Sequence, residues 1–186
     1  MIYALRLEEA LLVVGLVLAL GHLLALVLGE QMREILKKFP RSETAGNVLF
    51  VMAAVWFWGL VRFTDLGEFS TMRMPFQIAT GVGLVTGLIW MREFLAVRAL
   101  GMLCLLGAEP LLESAWMRPE SGRLWLVTLA YGWILLGLFF VGKPYLLRNW
   151  IGWVTEKQGR WTVAMSAGVA YGLILLGVRF LGINVG

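Results

Sequence analysis

Long apolar runs separated by short polar segments dominate the chain. A helix needs about 20 apolar residues to cross a bilayer, and six runs approach that length. The six runs are Ala10 to Gly29, Ala45 to Val61, Pro75 to Met91, Ala96 to Met117, Leu124 to Gly142, and Trp161 to Gly182. The pattern predicts an all-α integral membrane protein. We expect residues 1–186 to form a single transmembrane domain, a polytopic bundle of six transmembrane helices.

The fourth apolar run is the one for which composition gives the least support for crossing of the membrane, so the distribution of Lys and Arg residues is used to test it. It contains Arg98, Glu109, Pro110 and Glu113, so the alternative is five spans plus one re-entrant or kinked segment. With six spans, the Lys and Arg residues divide ten against six between the two sides, and without the fourth crossing they divide nine against seven. Cytoplasmic loops carry an excess of Lys and Arg, which favours six spans. Both termini are then expected outside, with the basic 30–44 and 143–160 loops in the cytoplasm of a bacterial cell.

Each of these two basic loops contains an amphipathic pattern. Residues 30–39 and 144–156 are therefore predicted to form interfacial helices that lie at the membrane surface. In the first of them the apolar positions recur at helical spacing: Met32, Ile35, Leu36 and Phe39. Arg33 falls on the opposite, polar side. We expect both helices to contact lipid headgroups, including anionic ones.

Composition agrees with the membrane assignment and narrows the chemistry. Of the 186 residues, 60% are hydrophobic and 15% are charged, and a soluble domain normally has more charge than this. A single cysteine and a single histidine exclude an intrachain disulfide and a bis-histidine haem site within the chain. The sequence therefore predicts no enzyme activity, no metal and no cofactor. The net charge of +4 is attributed to membrane orientation and anionic lipid, so no nucleic-acid partner is expected.

Small residues at four-residue spacing occur in three spans. Close contacts between membrane helices are usually made by such residues, because small side chains let the backbones approach. The predicted packing positions are Gly21, Ala25 and Gly29 in the first span, Gly83 and Gly87 in the third, and Ala164, Gly168 and Gly172 in the sixth. They indicate a tightly packed bundle, with a face left over for a second subunit as an open alternative.

Polar residues inside the spans are the candidates for function, because ionisable groups in a bilayer are costly. The candidate site consists of residues that lie within the spans: His22, Arg98, Glu109, Glu113, Tyr131, Tyr171 and Arg179. Arg98, Glu109 and Glu113 follow one side of the fourth helix, and Arg179 is expected near Glu113 in depth, as an ion-pair partner. The alternative is that the fourth helix starts later, which would bring both glutamates into the headgroup region.

Two functions fit these observations. The first is a non-catalytic membrane subunit or scaffold that packs through its small-residue faces into a homo-oligomer or a larger membrane complex. The second is a small transporter, channel or membrane substrate-binding component with a midplane polar site around Glu109 and His22. The first hypothesis explains the short loops, and the second explains the polar fourth helix.

Overall fold

The computed structural model describes residues 3, 5–120 and 122–181, and within these ranges the chain is helical without strands. In chain order the eight α-helices are α1 Leu7–Leu28, α2 Glu30–Lys38, α3 Glu43–Phe63, α4 Arg73–Trp90, α5 Leu95–Ala115, α6 Arg123–Gly142, α7 Tyr145–Glu156 and α8 Gln158–Leu181. Two short 3₁₀ turns, Phe39–Arg41 and Gly67–Met72, precede α3 and α4.

Five helices in the described part of the chain are long and apolar enough to cross a membrane, namely α1, α3, α5, α6 and α8. The fourth apolar run, with its three charged residues, forms α5 and belongs to this group. The third run forms α4, which does not belong to it. This helix has 18 residues, and Arg73, Pro75 and Gln77 near its start lower its hydropathy. A multi-pass membrane protein is therefore supported, and α4 is not among the helices that meet the length and hydropathy of a spanning segment.

The outer surface of the bundle is apolar. Large hydrophobic side chains on several of the long helices are exposed, among them Val27 at 76%, Val163 at 71% and Leu135 at 59%. A soluble monomer rarely leaves apolar patches of this extent in water. Lipid is the solvent that suits such a surface.

Helix ends follow local sequence signals. Gly29 separates α1 from α2 with a φ of 47°, a backbone conformation that side chains disfavour. The Ser42 hydroxyl accepts the Ala45 N–H and caps the start of α3. Helix α5 is bracketed by two left-handed residues, Phe94 with a φ of 57° before it and Met117 with a φ of 52° after it. These turns set the direction in which the chain enters and leaves α5.

The long helices form one bundle in which α5 is central. Helix α1 packs on α8, α5 packs on α6, α3 and α1, and α4 packs on α3. One end of the bundle holds the starts of α1, α4 and α6 and the ends of α3, α5 and α8, and we call this end the terminal face. The opposite end, where α2 and α7 lie, is called the basic face. The larger core cluster joins α1, α5, α6 and α8 toward the terminal face.

Two glycine contacts bring the helices to their closest approach. In α1 and α8, a Cβ added at Gly172 would lie 2.5 Å from the backbone nitrogen of Ala19 and 2.8 Å from the carbonyl oxygen of Gly15. In α5 and α6, a Cβ at Gly101 would lie 2.8 Å from the carbonyl oxygen of Gly137, and the reverse distance is also 2.8 Å. Any larger side chain at these positions would push the backbones apart.

The predicted packing positions divide into those at helix contacts and those away from them. Gly168 and Gly172 lie at the α1–α8 contact, Gly87 lies against the Phe50 ring, and Ala25 is buried. Ala164 is half-buried in α8. Added Cβ atoms at Gly21 and Gly83 would meet nothing within 4 Å, and Gly29 belongs to the turn between α1 and α2. In α1 the residues that approach α8 are Gly15, Ala19 and His22, so the contact with α8 includes positions outside the predicted series.

Arg33 departs from its predicted polar environment. Its side chain is buried, with the guanidinium carbon 5.3 Å from the centre of the Trp161 ring, and it donates hydrogen bonds to Gln158 and Glu30. Ile35, on the predicted apolar side, is 59% exposed. The cation–π contact with Trp161 and the hydrogen bond to Gln158 therefore connect α2 to the start of α8.

The α5–α6 contact predicts a sharp contrast between two glycines of the same helix. We expect Gly137→Leu to lower stability by about 1–3 kcal/mol, because overpacking forces the backbones apart. A Cβ at Gly132 of α6 would meet nothing within 4 Å, so Gly132→Leu serves as the matched control. Thermal unfolding in one detergent measures both variants. Equal losses of stability would contradict the contact.

Candidate functional site

An acidic groove opens at the terminal face between the end of α3 and the outer half of α5. It has a volume of about 1060 Å³. Its lining consists of residues from α3 and the segment after it, from α5, and one from α6: Phe63, Thr64, Asp65, Leu105, Ala108, Glu109, Leu112, Glu113, Trp116 and Ile134. Three of these side chains are carboxylates, and none is a Lys or Arg. The groove therefore combines negative charge with apolar walls.

The carboxylates are positioned by helix geometry on one side and a turn on the other. Glu109 and Glu113 lie one turn apart on α5, which continues through Pro110. Asp65 follows the end of α3, where its carboxylate accepts the Gly67 N–H at 3.0 Å. Arg73 donates to the carbonyl oxygens of Arg62 and Thr64 at 3.0 and 2.9 Å and so holds the last turn of α3. These hydrogen bonds hold the backbone beside Asp65 at the edge of the groove.

Tyr3 lies between α3 and α5, and no feature of the sequence marked it as a site residue. Its backbone N–H donates to the Glu113 carboxylate at 3.5 Å, and its hydroxyl oxygen accepts the Trp56 indole N–H at 2.6 Å. The three residues are separated by more than 50 positions in sequence, so no local pattern brings them together. Tyr3 thereby links the segment before α1 to both walls of the groove.

The Tyr3 hydroxyl is held in its neutral form. Burial raises the pKa of this hydroxyl above its ordinary value, whereas the hydrogen bond from Trp56 opposes the rise and the carboxylates of Glu109 and Glu113 add to it. Because the rise takes the pKa further from neutrality, the hydroxyl stays protonated at neutral pH. Tyr3 consequently adds no negative charge beside the carboxylates.

An apolar groove adjoins the acidic groove at Leu105. It has a volume of about 570 Å³ and is lined by α3, α4 and α5. Its floor is the α3 surface that carries Phe50, Ala53 and Phe57, and its far end reaches Met91 and Met102. Helix α4 leaves this space open because it buries only Gly87 among its residues. Together the two grooves change from acidic at the terminal face to apolar toward the basic face.

The remaining predicted site residues lie elsewhere. His22 donates from Nδ1 to the Leu18 carbonyl oxygen of its own helix at 2.8 Å, and its ring lies against Gly168. Arg179 pairs with Glu8 at 3.1 Å, so the expected pair with Glu113 is replaced by a different one. Arg98 is on α5, eleven residues or roughly 16 Å before Glu109.

The two tyrosines also lie outside the acidic groove. Tyr171 donates to the Trp125 carbonyl oxygen at 2.7 Å, and its ring meets the Trp125 ring edge-on at 6.0 Å. Tyr131 is exposed on α6. The structure thus brings Glu109 and Glu113 together with Asp65 and Tyr3, and it disperses the other five predicted residues over the bundle.

Comparison of the chain with protein-family models, with curated proteins and with solved structures finds no match.

The link from Tyr3 to Trp56 predicts measurable coupling between two distant parts of the chain. We expect a double-mutant cycle of Tyr3→Phe and Trp56→Phe to give a coupling energy of about 1 kcal/mol, because the hydrogen bond joins these two side chains. Thermal unfolding provides the measurement. Trp58, a 44% exposed residue of the same helix, supplies the control cycle with Trp58→Phe, for which we expect no coupling to Tyr3→Phe.

Proposed function

We propose that this protein is a six-span membrane protein in which α4 provides the sixth crossing. Helix α4 packs on α3, and its 18 residues extend about 27 Å, close to the hydrocarbon thickness of a bilayer. With six crossings, the basic face carries ten Lys and Arg residues and the terminal face carries six. The positive-inside rule then supports a cytoplasmic basic face, with α2 and α7 lying at its interface.

The topology predicts opposite accessibility for the two ends of α4. In a Cys104→Ala background expressed in a bacterial host, we expect Glu68→Cys to react with a membrane-impermeant maleimide on intact cells and Glu93→Cys to be protected. The reason is that these positions flank the α4 crossing. Glu120→Cys and Lys157→Cys provide the exposed and protected controls. Labelling of Glu93→Cys to the same extent as Glu68→Cys would show that α4 does not cross.

We further propose that the protein is a non-catalytic binding component for an amphiphile whose head group carries a positively charged nitrogen. The observation that carries this proposal is the change in the lining of the two adjoining grooves. The acidic groove is lined by carboxylates, and the apolar groove is lined mainly by hydrophobic side chains. Ligand sites are typically apolar clefts with a few polar groups that fix orientation. An amphiphile matches this arrangement, with its head at Glu109 and its chain along Leu105 and Met102.

Charge selects the head group. Asp65 and Glu109 contribute carboxylates to the groove, and none of the described residues that line it is cationic, so an anionic head would be repelled. Within the described part of the chain, the Glu109 carboxylate makes no hydrogen bond or ion pair, and its side chain is exposed to the groove. The carboxylate lies four residues, or roughly 6 Å, from the middle of α5 toward the terminal face. At that depth an ammonium group gains more from a carboxylate than it would in water.

The binding proposal is tested with a matched pair of probes, octadecylamine and stearic acid, which share a C18 chain and differ in head-group charge. We expect the purified protein to retain the amine in native mass spectra and to discriminate against the acid. Glu109→Gln should weaken amine retention about tenfold or more, the loss of about 1.4 kcal/mol that one charge-assisted contact supplies. Glu68→Gln, an acid of the same face outside the groove, should leave retention unchanged.

Two results would contradict the proposal. One is equal retention of amine and acid by the unaltered chain, and the other is equal weakening by Glu109→Gln and Glu68→Gln. The thermal unfolding of each variant without added probe separates loss of binding from loss of folding.

A second candidate function is that of a subunit in a membrane complex. It is favoured by the small residues of α1 and α4 that face away from the bundle, since Gly21, Gly81 and Gly83 would each have open space around an added Cβ. Such positions allow a further helix to approach closely. The same native mass spectra also report the oligomeric state. A mass of more than one chain would support this role, whereas a monomer in several mild detergents would count against it.

A further inference from the structure

A second cavity at the terminal face is lined by four arginines, and it lies apart from the acidic groove. The arginines come from four segments of the chain: Arg6, Arg118, Arg123 and Arg179. The cavity has a volume of about 220 Å³, and we call it the arginine cavity. It lies among α1, α6 and α8, whereas the acidic groove lies between α3 and α5.

Each arginine reaches the cavity for a local structural reason. Arg6 directly precedes α1, Arg179 is in the last turn of α8, and Arg123 is the first residue of α6. Arg118 follows Met117, whose left-handed φ of 52° turns the chain back after α5. The start of α6 at Gly122 and Arg123 also lines the cavity, and a helix N-terminus adds partial positive charge.

Two of the guanidinium groups are engaged by acids and two are available. Arg179 pairs with Glu8 at 3.1 Å, and Arg6 pairs with Glu9 at 2.9 Å. The side chains of Arg118 and Arg123 make no hydrogen bond or ion pair to any residue that the structure describes. These two groups therefore keep their full donor capacity toward the cavity.

The charge of the lining has a positive surplus. Four guanidinium groups are set against three carboxylates, those of Glu8 and Glu120 in the lining and that of Glu9, which pairs with Arg6, so one positive charge remains. The clustering is also unexpected from topology, since the terminal face holds only six of the sixteen Lys and Arg residues and four of those six line this one cavity. The positive-inside rule predicts few Lys and Arg residues at the terminal face, and most of those present lie around the arginine cavity.

We propose that the arginine cavity binds a phosphate group. Arginine presents a planar set of donors that matches phosphate oxygens in a bidentate manner, and it keeps its charge at all physiological pH values. The floor of the cavity is apolar, formed by Leu7, Leu11 and Val178 of the main core. The group can be the head of a phospholipid in the adjoining leaflet or free inorganic phosphate, which share this chemistry.

The test uses the full chain in a neutral detergent and two arms that distinguish these sources. In the first arm, native mass spectra compare retention of a phosphatidylglycerol with that of a galactosyl diacylglycerol that has the same acyl chains and no phosphate. In the second arm, titration calorimetry measures binding of inorganic phosphate. Selective retention of the phospholipid identifies a lipid source, and a saturable phosphate isotherm identifies a soluble one.

Substitutions of the cavity arginines test whether phosphate binding occurs in the arginine cavity. We expect Arg118→Gln and Arg123→Gln each to weaken the binding about tenfold, and the double variant to abolish it. Arg62→Gln removes one cation of the same face outside the cavity and should leave the binding intact. The single variants serve as the readout if the double variant does not fold, as judged by size-exclusion chromatography and thermal unfolding.

The proposal is overturned if neither arm shows binding by the unaltered chain, or if Arg62→Gln weakens binding as much as Arg118→Gln does. Its outcome is independent of the amine experiment, because the probes and the variants differ from those that test the acidic groove.

Discussion

Close backbone contact between helices is the constraint on which the rest of the structure depends. In lipid the hydrophobic effect does not hold helices together, so dispersion contacts between closely approaching backbones must do so. Gly15 and Gly172 provide that approach for α1 and α8, and Gly101 and Gly137 provide it for α5 and α6. These two pairs, joined by the core between α1, α5, α6 and α8, form the firm part of the bundle.

The looser part of the bundle carries the candidate site. Helix α4 packs mainly along α3 and the turn before it, and it leaves the apolar groove open beside α5. The acidic groove lies at the same edge, between the end of α3 and the half of α5 that follows Leu105. Binding surfaces on a bundle require incomplete packing, and both grooves lie at this edge, whereas the two glycine contacts join helices elsewhere in the bundle.

Charge at the terminal face is separated into two sites of opposite sign. Asp65, Glu109 and Glu113 line one edge, and the arginine cavity lies on the other side, among α1, α6 and α8. Glu109 and Glu113 could be identified from the sequence because ionisable residues stand out in an apolar helix. Loop and chain-end residues such as Asp65, Tyr3 and Arg118 could not, because charged or polar residues outside the spans are ordinarily solvated and carry no comparable signal.

By itself the sequence determined the all-helical class with several helices apolar enough to cross a membrane, the approximate helix bounds and the presence of two amphipathic helices, because hydropathy and its period act locally along the chain. Which side of each helix faces another was decided only by the tertiary structure. Gly15 rather than Gly21 meets α8, Arg33 is buried on Trp161, and Arg179 pairs with Glu8. In an apolar helix nearly every side is compatible with lipid, so the inward side is selected by the fit between surfaces distant in sequence.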